Sequence, residues 1–124
     1  MIEIMETISD PNIHDIVLMC SSQIGKSELL LNALCYFVAQ EPSPILFLQP
    51  TIEAAESFSK ERIEPTFQAC PALIGKFEQG KNGRGSSRKS SETIRLKKFP
   101  GGFLAMVGAN SPAGLASRPI RVLL

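Results

Sequence analysis

Apolar residues in this chain come in short blocks set apart by turn-forming residues, and each block predicts an element. The run Ile16-Val17-Leu18-Met19-Cys20 is continuous, β-branched at its start and followed by polar Ser21-Ser22-Gln23. That pattern predicts a strand buried on both faces. From Lys26 to about Gln40 the residues are strong helix formers with apolar positions on nearly every side, so an interior helix is expected. Pro42 and Pro44 break it, and Ile45 to Gln49 repeats the buried-strand pattern before Pro50. Thr51 is placed to cap a further helix, with Glu53 and Glu56 early and Lys60 and Arg62 late, the order a helix dipole favours. Glu64-Pro65 marks its expected end.

The second half is organised differently. Gly75 to Ser91 is rich in Gly, Ser and Lys without periodicity, which predicts a mobile loop. Thr93 to Phe99 alternates apolar and basic residues, Pro100-Gly101-Gly102 is a turn, and Phe103 to Val107 is apolar again. Together they predict a β-hairpin. Gly108 to Ser117 reads as a small-residue loop, and Arg118 to Leu124 as the beginning of another apolar strand. Strands alternating with helices argue for an α/β fold, a parallel sheet covered on both faces with a hairpin inserted or appended. The expected division is a lead-in over residues 1–15 and one domain, or part of one, over 16–124.

Composition narrows the function classes by exclusion. The chain has 124 residues, 44% of them hydrophobic, room for a single core and no second full domain. Its formal net charge of +1 announces neither nucleic acid nor membrane, so any such partner must be met by a local patch. Cys20, Cys35 and Cys70 are too widely spaced for a paired-cysteine metal site or a disulfide framework. The acidic N-terminus is unlike a secretory signal, and no apolar stretch is long enough to span a bilayer. A soluble protein of a reducing cytoplasm is the expectation.

The candidate chemistry lies between the first predicted strand and the first helix, in Ser21, Ser22, Gln23, Ile24, Gly25, Lys26, Ser27 and Glu28. A phosphate-binding loop requires Gly, four residues, then Gly-Lys-Ser or Gly-Lys-Thr, and here Cys20 stands in place of the first Gly. The remaining parts each have a task. Gly25 lets backbone N–H groups approach phosphate oxygens, and the helix start directs partial positive charge at the same point. Lys26 would reach the β- and γ-phosphates of ATP, and the Ser27 hydroxyl would bind Mg²⁺. Cys20 must avoid a left-handed backbone angle or accept strain of roughly 1 kcal/mol. A variant loop is therefore expected. The bland alternative is an exposed turn ahead of a helix.

Several blocks, in order, resemble the ATPase domain of lambda-type phage terminase large subunits. They are Cys-Ser-Ser-Gln-Ile-Gly-Lys-Ser-Glu (20–28), Pro-Ile-Leu-Phe-Leu-Gln-Pro-Thr (44–51), Ser-Lys-Glu-Arg-Ile-Glu-Pro (59–65), Phe-Pro-Gly-Gly-Phe-Leu (99–104) and Gly-Ala-Asn-Ser-Pro-Ala-Gly-Leu-Ala-Ser-Arg (108–118). The resemblance implies a P-loop NTPase-type sheet, ATP and Mg²⁺ as cofactors, and ATP-driven movement of viral DNA by an oligomeric motor. Its implied partners are DNA, a small terminase subunit and the portal. The family's Walker B carboxylates and its nuclease domain are expected beyond this sequence, so the chain reads as a fragment without turnover of its own. A non-catalytic remnant or interaction module of the same fold, or the front half of a helicase-like ATPase, is the alternative. Lys and Arg outnumber acidic residues between Lys76 and Lys98, and Arg84, Arg88 and Lys89 are the candidate contacts to DNA phosphates. Phe77 apart, no aromatic residue interleaves there to stack on bases.

Overall fold

A computed structural model describes residues 2–74, 76, 94–116 and 118–124. The basic residues Arg84, Arg88 and Lys89, and most of the loop that carries them, lie outside the described residues.

The chain begins with helix α1 (Ile2–Ser9), which buries none of its residues. Helix α2 (Lys26–Ala39) buries Leu29, Leu31, Ala33, Leu34 and Val38, as expected of a helix apolar on several sides. Strand β1 (Ile45–Gln49) follows. Thr51 then caps helix α3 (Ile52–Phe58), its side chain accepting the Ala54 N–H at 3.1 Å. The helical path does not stop at Pro65. A π-helical turn (Ser59–Ile63) carries it into helix α4 (Glu64–Ala69), with the Glu64 N–H donating to the Ser59 carbonyl. This wide turn falls where proline's missing N–H and its ring would otherwise disrupt the ladder, so the helical path outlasts the sequence signal for its end. A 3₁₀ turn (Pro71–Leu73) leads away from it.

Strands β2 (Leu96–Phe99) and β3 (Gly102–Gly108) form the expected hairpin, with Phe99 paired to Gly102. Pro100 and Gly101 make its two-residue turn, and Gly101 at φ +91° takes the left-handed angle that only glycine adopts without strain. A short helix α5 (Pro112–Leu115) and strand β4 (Val122–Leu123) complete the chain. The sheet order is β2-β3-β1-β4, with β1 parallel to both β3 and β4, and β2 antiparallel to β3. It is α/β and mixed, because the hairpin contributes an antiparallel edge.

Alternation along the central strands divides the core into two clusters. Ile45, Phe47, Leu104 and Met106 join Leu31, Leu34, Val38, Ala55, Ile63 and Phe67 in the main cluster, packed on the helices, with Phe47 stacked on Phe58. Leu46, Ala105 and Val107 form a smaller cluster on the opposite face. The hairpin is also tied to the long helical segment by polar contacts. The Ser59 hydroxyl donates to the Ile94 carbonyl at 3.0 Å, Arg95 pairs with Glu56 at 3.0 Å, and Lys97 pairs with Glu64 at 2.8 Å.

One predicted element is overturned. Ile16–Cys20 is not a strand; it runs as irregular chain, with Val17 89% and Met19 98% exposed. A strand buried on both faces needs neighbours, and none of the four strands pairs with this run.

Candidate functional site

The candidate phosphate loop is built by the turn that launches α2. Gly25 sits at the N-cap with φ 88° and ψ 21°, a left-handed conformation, and no side chain caps the helix. The earliest N–H groups of an α-helix have no partner within it. The Leu29 N–H donates to the Gly25 carbonyl at 3.0 Å, leaving Lys26, Ser27 and Glu28 in the uncapped first turn. Together with the helix dipole, those donors form an anion-attracting end.

Cys20 escapes the strain considered for it. The only non-glycine residue with positive φ among the described residues is Gln23, at 61°. The loop thus makes its tight reversal through Gln23 and Gly25, three residues later than a full phosphate-loop pattern would begin it. The sequence signal at Cys20 marked a departure from that pattern, but not the residue that would absorb it.

Lys26 folds back across the loop, and its ammonium donates to the Ser21 carbonyl at 3.1 Å. Residues 21–28 are all exposed. Ser21, Ser22, Gln23, Ile24, Gly25, Lys26, Ser27 and Glu28 therefore form one continuous solvent-facing turn, with the ammonium held over its backbone. Downstream, residues 40–44 reverse the chain between α2 and β1. α2 and β1 pack in one core cluster. Where β1 and β3 finish, the Ala109 N–H donates to the Gln49 carbonyl at 2.7 Å, joining the two strand ends.

A left-handed glycine, an uncapped helix start and a lysine ammonium lying over one exposed turn are features that suit a phosphate-bearing ligand. No group of three or more His, Cys, Asp or Glu suited to a metal occurs among the described residues. Arg121 contacts Ser43 at 3.2 Å and Glu41 at 3.6 Å, so it braces the turn before β1. No helix among the described residues is long and apolar enough to cross a membrane.

Comparison with known proteins places the chain in a family. The family model for the phage terminase large subunit gpA, ATPase domain, matches residues 1–124. The large terminase subunit of Enterobacteria phage P21 is 31% identical over 109 residues, which are 86% of this chain and 16% of that protein. This chain thus spans about a sixth of the length of that relative. No solved structure matches. A match along the whole chain, joined to a relative 31% identical over the aligned 109 residues, establishes that the chain belongs to the family of phage terminase large subunit ATPase domains.

Proposed function

We propose that this chain is the ATP-binding part of a viral DNA-packaging motor, and that the turn over residues 21–28 holds the triphosphate. The observation that carries this reading is the uncapped start of α2 behind a left-handed Gly25, with Lys26 bridging the loop. Backbone N–H groups of the first helical turn bind phosphate oxygens, Lys26 neutralises the β- and γ-phosphates, and the Ser27 hydroxyl contributes to holding Mg²⁺. The metal, when bound, spreads the charge of the phosphates. Glu28 supplies its backbone N–H; its carboxylate would be repelled by the ligand. Family membership favours packaging over a helicase-like or non-catalytic role. The wider motor would bring DNA, a small terminase subunit and the portal as partners, in an oligomer within the host cytoplasm.

Lys26→Ala tests the site directly. Titration with ATP and Mg²⁺ should show binding weakened at least about tenfold, the effect of removing one charge-assisted hydrogen bond of about 1.5–3 kcal/mol. Circular dichroism should be unchanged because Lys26 is exposed. ATP binding that ignores this substitution would remove the assignment.

For DNA, the basic stretch carries the proposal. Arg84, Arg88 and Lys89 contact backbone phosphates, and binding is independent of base sequence. Replacing all three by Ser should flatten the dependence of DNA affinity on salt, by about 0.9 of slope for each phosphate that is no longer neutralised. A slope that stays the same would exclude these residues from the interface.

A further inference from the structure

The long helical segment carries one residue more than a regular helix making the same contacts would need. Its buried positions are Ala55, Ser59, Ile63 and Phe67, at a constant spacing of four. An α-helix advances about 100° per residue, so that spacing drifts, and Phe67 would stand about 120° around the axis from Ala55. The polar side repeats the problem. Glu56, Ser59 and Glu64 meet Arg95, the Ile94 carbonyl and Lys97 at 3.0, 3.0 and 2.8 Å, all within residues 94–97, where the chain enters β2. In a regular helix Glu64 would lie about 80° from Glu56.

The π turn over Ser59–Ile63 closes between the Glu64 N–H and the Ser59 carbonyl, a bond of five residues instead of four. It absorbs one residue without advancing the face. Glu56, Ser59 and Glu64 then act as positions i, i+3 and i+7, and Ala55, Ser59, Ile63 and Phe67 as i, i+4, i+7 and i+11. The last residue of each stripe comes back to within about 20° of the first.

We infer that this π turn is a register lock between helix and hairpin: its extra residue turns Glu64 to Lys97, so that α4 and the β2–β3 hairpin dock as one unit. The buried end of the lock is Lys97, whose side chain is 10% exposed against 41% for Glu64. A largely buried ammonium is costly without its partner, and an α-helical turn in place of the π turn would swing Glu64 about 100° away from it. Pro65 lets the wide turn form, since it lacks the N–H that would continue either ladder. The alignment of the two stripes is what retains it. Lys60, Glu61 and Arg62, all exposed, fill the rest of the turn and belong to neither stripe.

Removing Glu61 from the full chain converts the turn to a regular helix with both stripes in place. The shortened protein should melt at or above the parent's temperature. A double-mutant cycle of Glu64→Gln with Lys97→Met should give coupling of about twofold or more in the unfolding constant, in the parent and in the shortened chain alike. Inserting Ala after Glu61 adds a further ~100°, and should lower the midpoint and abolish the coupling. In Pro65→Ala the coupling should remain, because the stripes rather than the proline hold the extra residue. A shortened chain that melts well below the parent or loses the coupling, or an insertion that keeps either the midpoint or the coupling, would overturn the inference. So would a parent without coupling, or its loss in Pro65→Ala, which would make the turn a local effect of proline.

Discussion

Two five-residue apolar runs in this chain have opposite fates. Ile45–Gln49 is the central strand β1, hydrogen-bonded to β3 on one side and β4 on the other, with Ile45 and Phe47 fully buried. Ile16–Cys20 is at least as apolar, yet pairs with no strand and leaves Val17 and Met19 in water. Their residues have similar β-propensity, so local preference does not separate them. What differs is the supply of neighbours. β1 is flanked by strands that satisfy its backbone N–H and C=O groups along both edges, while the first run keeps water as its partner. A doubly apolar run states a demand for two flanking strands; whether they are found is a long-range property.

The largest expected effect tests the folded side of that comparison. Phe47 is fully buried and stacked on Phe58 at a centroid separation of 5.1 Å. Phe47→Ala should cost about 3–5 kcal/mol by urea denaturation, combining lost transfer energy with the cavity left behind. A loss under about 1 kcal/mol would mean that β1 is no better packed in solution than the run at Ile16.

A smaller effect comes from the helix behind the loop. Cys35 titrates higher in the fold than its ordinary value of 9.0, at about 11, chiefly through burial and then through Cys70 and Glu28. For an acid, a raised folded pKa means that the native state holds its proton more tightly. The reduced protein should therefore be most stable below pH 9.0 and lose that contribution as pH rises toward about 11. Because Cys35 is half-buried, solvent screening limits the loss to about 1 kcal/mol. Denaturation of Cys35→Ala across the same interval should remove this part of the pH dependence.

Features whose causes lie within a few residues were legible in the sequence. The bounds of β1 follow from the prolines on either side, Thr51 caps through a contact with Ala54, and Pro100-Gly101 supplies the hairpin turn. The apolar surround of α2 likewise foretold its buried position. The misplaced features depend on distant partners or on backbone accommodation. Pro65 signalled an end, yet the π turn over Ser59–Ile63 let the helical path continue, with Ser59 held by Ile94 from the hairpin side. At the candidate site, Gly25, Lys26 and Ser27 stood out by residue type, whereas the left-handed angle at Gln23 had no signal of its own. Gln is not among the residues that favour that angle, so only the closed geometry of the turn reveals it.

The smallest expected effect probes the unpaired run itself. Val17 is 89% exposed, so its side chain meets nearly the same water in the folded and unfolded chain. Transfer energy scales with area removed from water, and here little is removed. Val17→Ser should change the free energy of unfolding by no more than about 0.5 kcal/mol, the range of surface substitutions away from special features. The corresponding change at a buried strand position forfeits the ~1.5–3 kcal/mol of a buried aliphatic side chain and leaves a hydroxyl without water. Val17→Ser and Leu46→Ser, measured side by side, therefore give the contrast its sharpest form: near zero at the first and several kcal/mol at the second. A comparable loss at both would show that the run at Ile16 packs in solution, and that its apolar demand is met by a contact outside the four-stranded sheet.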